Sequence, residues 1–203
     1  MKWLYDKACP WDEDTFDLAA RHGDLETIKW LYKKECPWNT RPFLAEALFG
    51  DLENMKWLYE KACPWDEYTF TVAGKHGDLI NMKWLYTKKC PWDKLTFHVA
   101  ACIGDLNKMK WLYEKECPWS AGTFKGAAWH GNLDNMKWLH KKACPWNKTI
   151  FKDAATNGSL QNLEWLYESG YRWGAITIKD FRNVINVKEV TIQWLQAKGC
   201  SEL

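Results

Sequence analysis

Apolar residues recur along this chain with two superposed periods. Within short stretches they follow helical spacing: Phe16, Ala19 and Ala20 fall at i, i+3 and i+4, and Leu25, Ile28, Leu31 and Tyr32 share one face of a second stretch. Trp30 points well away from that face, so the second stretch has two apolar sides and is predicted to be sandwiched between neighbours. The whole arrangement then returns every 27 residues: Trp3, Trp30, Trp57, Trp84, Trp111, Trp138 and Trp165 occupy the same place in successive copies, and Trp194 follows after 29. A fixed period of this length marks an array whose repeats bury their apolar faces against one another.

Polar residues punctuate each copy at fixed offsets. Asp12, Asn39, Asp66, Asp93, Ser120 and Asn147 precede the Phe-Ala-Ala stretch, and each can cap a helix by accepting from its free N–H groups. Pro42 suits a first turn. Gly23, Gly50, Gly77, Gly104, Gly131 and Gly158 end that helix, and Asp24, Asp51, Asp78, Asp105, Asn132 or Ser159 opens the next, predicted over Leu25 to about Glu35. Cys-Pro-Trp then breaks the chain before the next cap. Each repeat is therefore helix, tight turn, helix, short link. A leucine-rich repeat has a similar period, but it needs an alternating strand where this chain has Lys33-Lys34-Glu35-Cys36-Pro37.

The array occupies one predicted domain over residues 1–203: a partial repeat at 1–10, repeats starting near 11, 38, 65, 92, 119 and 146, and a divergent repeat at 173–203. All five methionines, Met1, Met55, Met82, Met109 and Met136, stand two residues before a repeat tryptophan. The chain thus begins inside a repeat, as a fragment or a truncated product would, leaving Trp3, Leu4 and Tyr5 uncovered and prone to fray or self-associate. At the other end Asn183, Asn186, Lys188 and Glu189 suit a polar terminal cap.

With 47% apolar residues and a net charge of +2, the chain is expected to fold and lacks the charge excess of a dedicated nucleic-acid binder, which speaks against nucleic acid as a partner. No apolar run is long enough for a membrane span, and the charged start excludes a signal peptide, so the expected location is the cytoplasm or nucleus.

The stretch Thr15 to Tyr32 resembles the ankyrin repeat, matching its pattern at Ala19, Ala20, Gly23, Leu25, Glu26, Ile28, Lys29 and Leu31, and the likeness recurs from about Asp12 to Glu168. The repeat is shorter than the ankyrin unit, the missing part falling in the β-hairpin finger. It is similar to the short, tryptophan-rich variant of algae, protists and large amoeba-infecting DNA viruses. The resemblance implies an all-α solenoid without long fingers, a protein partner held along its concave side, no cofactor and, for a viral protein, the host cytoplasm.

Candidate chemistry adds little. Cys9, Cys36, Cys63, Cys90, Cys117 and Cys144 form a ladder too widely spaced for disulfides or zinc, and buried reduced thiols are the expectation, with Cys102 and terminal Cys200 more reactive. Trp11, Trp38, Trp65, Trp92, Trp119, Trp146 and Trp173 are expected in the core between repeats rather than as stacking platforms. His98 and Cys102, with His130 one repeat away, offer two ligands and a neighbour, short of the four a structural zinc site wants, and are expected to be solvated. No nucleophile-base set or phosphate-binding loop occurs, so no catalysis is expected.

What varies between repeats is the candidate recognition surface. On the first helix and its following turn it comprises Glu13, Asp14, Asp17 and Arg21; Arg41, Leu44, Leu48 and Phe49; Tyr68, Thr71, Lys75 and His76; Leu95, His98 and Ile103; Lys125, Trp129 and His130; and Lys148 and Lys152. It runs from acidic to basic, and Trp129, a lone large aromatic in a variable position, reads as a binding anchor. The expected function is non-catalytic protein binding. An RNA-binding helical-repeat protein and a substrate-receptor adaptor cut from a larger chain are the alternatives.

Overall fold

The computed structural model describes residues 10–22, 24–49, 52–76, 78–156, 159–184 and 187–202. Expectations placed on residues 1–9, on Gly23, Gly50, Gly77 and Gly158 as helix ends, on Asp51 as a cap, on the Phe49 side chain and on Asn186 lie outside the described residues. The chain divides into two compact blocks, Met1–Trp92 and Asp93–Leu203. The N-terminal block carries α1 (Glu13–His22), α2 (Leu25–Lys33), α3 (Arg41–Phe49), α4 (Leu52–Glu60), α5 (Glu67–Lys75) and α6 (Leu79–Thr87). The C-terminal block carries α7 (Lys94–Cys102), α8 (Leu106–Glu114), α9 (Ala121–His130), α10 (Leu133–Lys141), α11 (Ile150–Thr156), α12 (Leu160–Glu168), α13 (Ile178–Arg182) and α14 (Glu189–Ala197). No strand occurs among the described residues, and the protein is an all-α helical-repeat solenoid. First helices stack on first helices, α1 on α3 and α3 on α5 in one block, α7 on α9, α9 on α11 and α11 on α13 in the other.

Caps start most of these helices. Asp66 accepts from the Thr69 N–H at 3.1 Å while the Thr69 hydroxyl accepts from the Asp66 N–H at 3.3 Å, a capping box, and Ser120 with Thr123 forms another. Asp24 accepts from the Thr27 N–H at 2.8 Å, and Asp105 and Asn132 cap α8 and α10. The predicted row is incomplete, because Asp78 and Ser159 make no side-chain cap bond. Gly104 and Gly131 take the left-handed conformation as predicted, with φ of 76° and 84°.

The second helices end differently from the prediction. In α2 the Cys36 N–H returns to the Leu31 carbonyl at 3.1 Å and the Glu35 N–H to Tyr32 at 3.0 Å, a Schellman turn. Its left-handed position holds Glu35, Ala62, Lys89, Glu116 and Ala143, with φ between 54° and 60°, and glycine only at Gly170 and Gly199. The turn aims each cysteine back along its own repeat. Cys36 Sγ donates to the Asp12 carbonyl at 3.6 Å, Cys63 to Asn39 at 3.5 Å, Cys90 to Asp66 at 3.6 Å, Cys117 to Asp93 at 3.6 Å and Cys144 to Ser120 at 3.8 Å. The thiol therefore ties the end of the second helix to the cap of the first. Cys200 makes the same bond, 3.5 Å to Ile176, and is buried, which corrects the expectation that it stands apart from the ladder.

Between repeats the contact is aromatic. Phe16, Tyr32, Trp38 and Trp57 meet at one junction, with Trp38 5.1 Å from both Phe16 and Tyr32 and 6.3 Å from Trp57, ring centre to ring centre. Phe43, Tyr59, Trp65 and Trp84 repeat the cluster, as do Phe97, Tyr113, Trp119 and Trp138 and, at the last junction, Phe151, Tyr167, Trp173 and Trp194. The phenylalanines are wholly buried. The link tryptophans are not, which corrects their placement in the core: Trp11, Trp38, Trp65, Trp92 and Trp119 are half-buried, and only Trp173, at 8% exposure, is covered. Trp146 is 44% exposed, because Tyr171, in the cysteine's place, lies against Phe124 where that tryptophan belongs.

Two outcomes follow. Phe97→Ala removes a fully buried ring and costs roughly 3–5 kcal/mol in urea unfolding, Trp119→Ala about 2 kcal/mol, and Trp146→Ala under about 1 kcal/mol; equal losses at Trp119 and Trp146 would refute the junction assignment. Burial pushes the thiols of Cys63, Cys90, Cys117 and Cys144 up to about 12 from an ordinary value of 9.0. Their folded values being raised, unfolded thiols release protons first, so stability is full below pH 9 and falls through pH 12 by up to about 1.4 kcal/mol per unit for each thiol. Urea midpoints at pH 8 and pH 10 test this, the second being lower.

Candidate partner-binding surface

The stacking of α1, α3 and α5 brings the variable positions of three repeats together. Arg21 reaches in from the end of α1, Arg41, Leu44 and Leu48 from α3, and Tyr68, Lys75 and His76 from α5 and its following turn. Helical spacing does this, since Leu44 and Leu48, like Tyr68 and Val72, lie one turn apart. They surround a cleft of about 280 Å³ over Ala45 and Val72. Tyr68 is 53% exposed at its edge.

The cleft's electrostatics are set by carboxylates of α1. Arg21 Nε donates to Asp17 Oδ1 at 3.3 Å, and its second terminal nitrogen stands 3.1 Å from Oδ2. Arg41 pairs with Asp14, and Asn39 donates to Glu13 at 2.6 Å, so the acids of α1 position the first residues of the next repeat. A guanidinium has five N–H donors, and each arginine keeps some for another acceptor. Lys75 has no ion pair among the described residues.

Two expected surface residues are not on the surface. Asp17 is 6% exposed and Thr71 4%, because their shared position lies on the flank along which first helices stack, and small side chains there are covered. Glu13, Asp14, Arg21, Arg41, Lys75 and His76 are exposed and Leu44 and Leu48 half-buried. The floor residues Ala45 and Val72 were not singled out in the sequence. Their position carries Leu18, Ala45, Val72, Val99, Gly126 and Asp153 in turn, a variation that hid it.

In the C-terminal block the predicted positions do not form one cleft. Trp129, 54% exposed on α9, Leu95, Lys148 and His130 are exposed, and Ile103 is half-buried. Gly104 leaves room for His130, since a Cβ there would collide with its ring. Lys125 lies 3.6 Å from Asp153 and Lys152 3.4 Å from Asp180, whose carboxyl is held below its ordinary value by hydrogen bonds from the Thr177 N–H and hydroxyl. His98 is not solvated as expected. Its Nδ1 lies 2.7 Å from the Gly122 carbonyl, which can only accept, so Nδ1 carries the proton and Nε2 faces Cys102 Sγ at 3.4 Å. The pair fastens α7 to the start of α9. Among the described residues no three His, Cys, Asp or Glu side chains converge on a point, and no helix is long and apolar enough to cross a membrane.

No family model matches the chain, and no curated protein matches it. Among solved structures it is similar to the pentatricopeptide repeat protein PPR10 in complex with an 18-nt psaJ RNA element, at 10% identity and a TM-score of 0.43. A cysteine-to-serine variant of the same complex gives the same values. The match covers 99% of this chain and 41% of the other, so the chain spans about two fifths of that protein's length. One expectation is corrected: a near-neutral net charge gives no ground for setting nucleic acid aside as a partner. Single strands are held by local cations and exposed rings, which a net charge of +2 does not report.

The packing behind this surface is testable at Gly126. A Cβ there would stand 2.8 Å from Cys102 Sγ and 3.2 Å from His98 Nδ1. Gly126→Ala is expected to cost roughly 1–3 kcal/mol as an overpacking change, and Cys102→Ala in the same chain should recover part of it in urea unfolding.

Proposed function

We propose that the protein is a non-catalytic scaffold of the short ankyrin kind, and that the first-helix cleft of its N-terminal block holds single-stranded RNA. The observation that carries this reading is the half-exposed Tyr68 ring at the edge of a cleft lined by Arg21, Arg41 and Lys75. A base stacks on the ring, Leu44 and Leu48 cover its edge, and the cations take the flanking phosphates. Asp14 and Asp17 do not cancel those cations, because each holds its arginine by one side and leaves further donors free to turn outward. The buried thiols suit a reducing compartment, the cytoplasm or the nucleus.

A second reading, binding of a protein, is favoured by a different observation. Lys125 and Lys152 are paired with Asp153 and Asp180 beside the exposed Trp129, which makes a mixed-charge surface around an aromatic anchor.

Fluorescence anisotropy with a labelled oligouridine decides between them. Three phosphate contacts give a salt slope of about −2. Tyr68→Ala should weaken binding by about 5- to 100-fold, the range of one lost base stack, and Lys75→Ala should lower the slope by about 0.7. Absence of binding at low salt, or binding indifferent to Tyr68→Ala, rejects the RNA reading. Salt-insensitive capture of a protein that is lost with Trp129→Ala supports the second.

A further inference from the structure

The junction at Tyr171 departs from the others in three places at once. At four other junctions the tyrosine of a second helix lies under a lysine from the next repeat: Lys61 Nζ is 5.8 Å from the Tyr32 ring centre and Lys88 5.0 Å from Tyr59 in the N-terminal block, and Lys142 is 4.7 Å from Tyr113 and Lys198 5.5 Å from Tyr167 in the C-terminal block. Each is an ammonium over an aromatic face, attracted by the ring quadrupole. At the junction after α10, His140 stands for the tyrosine, Ser169 for the lysine and Tyr171 for the cysteine. His140 Nδ1 lies 2.7 Å from the Tyr171 hydroxyl, which fixes both rings. Trp146 packs edge to face on Tyr171 at 4.5 Å and is left 44% exposed.

These side chains line a cleft of about 530 Å³ between α10 and the turn after α12, with Pro145 and Gly170 at its sides. The matching groove one repeat earlier, about 540 Å³, is lined by Tyr113, Glu114, Glu116 and Trp119, and there the protein's own Lys142 covers the tyrosine ring. Among the described residues no Lys, Arg, Asp or Glu lines the Tyr171 cleft, and the neighbouring Lys141 does not line it. The array thus sets a lysine beside this groove at four other junctions and Ser169 at this one.

We infer that the cleft formed by His140, Trp146, Ser169 and Tyr171 receives a lysine or arginine side chain from a partner protein. Because the smaller His140 ring stands where the tyrosine would be, the incoming cation sets its head over the neighbouring exposed Trp146 face, its aliphatic stem lying along Pro145. This docking does not depend on the RNA reading, since it lies in the other block and selects a cation rather than a polyanion.

The test is an NMR titration of the full ¹⁵N-labelled chain, with the Trp146 indole resonance assigned from Trp146→Phe. Acetylated, amidated Gly-Lys-Gly and Gly-Arg-Gly peptides should shift that resonance saturably, and the equally long norleucine peptide should not. Ser169→Lys, which restores the residue found at the other junctions, should weaken the response at least tenfold while the other indole resonances stay in place. Equal shifts with norleucine, unchanged binding by Ser169→Lys, or no shift with either cationic peptide would each overturn the inference.

Discussion

Aromatic rings meeting across the repeat boundaries hold each block together. A repeat of 27 residues contains two helices of about ten residues each and cannot close a core by itself. It has no hairpin to extend its contact with the next repeat. The boundary therefore depends on large side chains placed where they reach furthest: a buried phenylalanine on the first helix, a tyrosine and a tryptophan on successive second helices, and a link tryptophan between them. Aromatic pairs contribute about 0.5–1.5 kcal/mol beyond the area they bury, and each junction holds several.

That arrangement explains why the link tryptophans are only half-buried. They close the boundary from outside, one face on the phenylalanine and tyrosine and the other partly in solvent. Where Tyr171 fills the inner position the tryptophan is pushed outward, and a structural residue becomes a surface one without any change in its place in the repeat.

The period, the helix pairs, the phenylalanine and alanine stripe and most caps were legible in the sequence, because each rests on local chemistry repeated many times. Position in the array was less so. Asp17 and Thr71 lie outside the apolar stripe by helical angle, yet they fall on the flank along which first helices stack, a tertiary effect that one repeat cannot display. Cys200 looked terminal until the 24-residue reach of its thiol to Ile176 placed it with the others. The candidate surface was legible as a set of variable positions. Its gathering around Tyr68 in one block and its dispersal in the other depend on which side chains find acids to pair with.

The thiol bond and the ring cluster divide the work between two scales. Cysteine to cap carbonyl is a bond inside one repeat, whereas the rings join one repeat to the next, and both recur at the same interval. Copying any interior stretch of that length delivers a helix pair already tied by its own thiol bond and edged on both sides with matching halves of a boundary. Such an array grows or shrinks by recombination in whole steps, and each step changes the reach of the binding surface while leaving the joints intact.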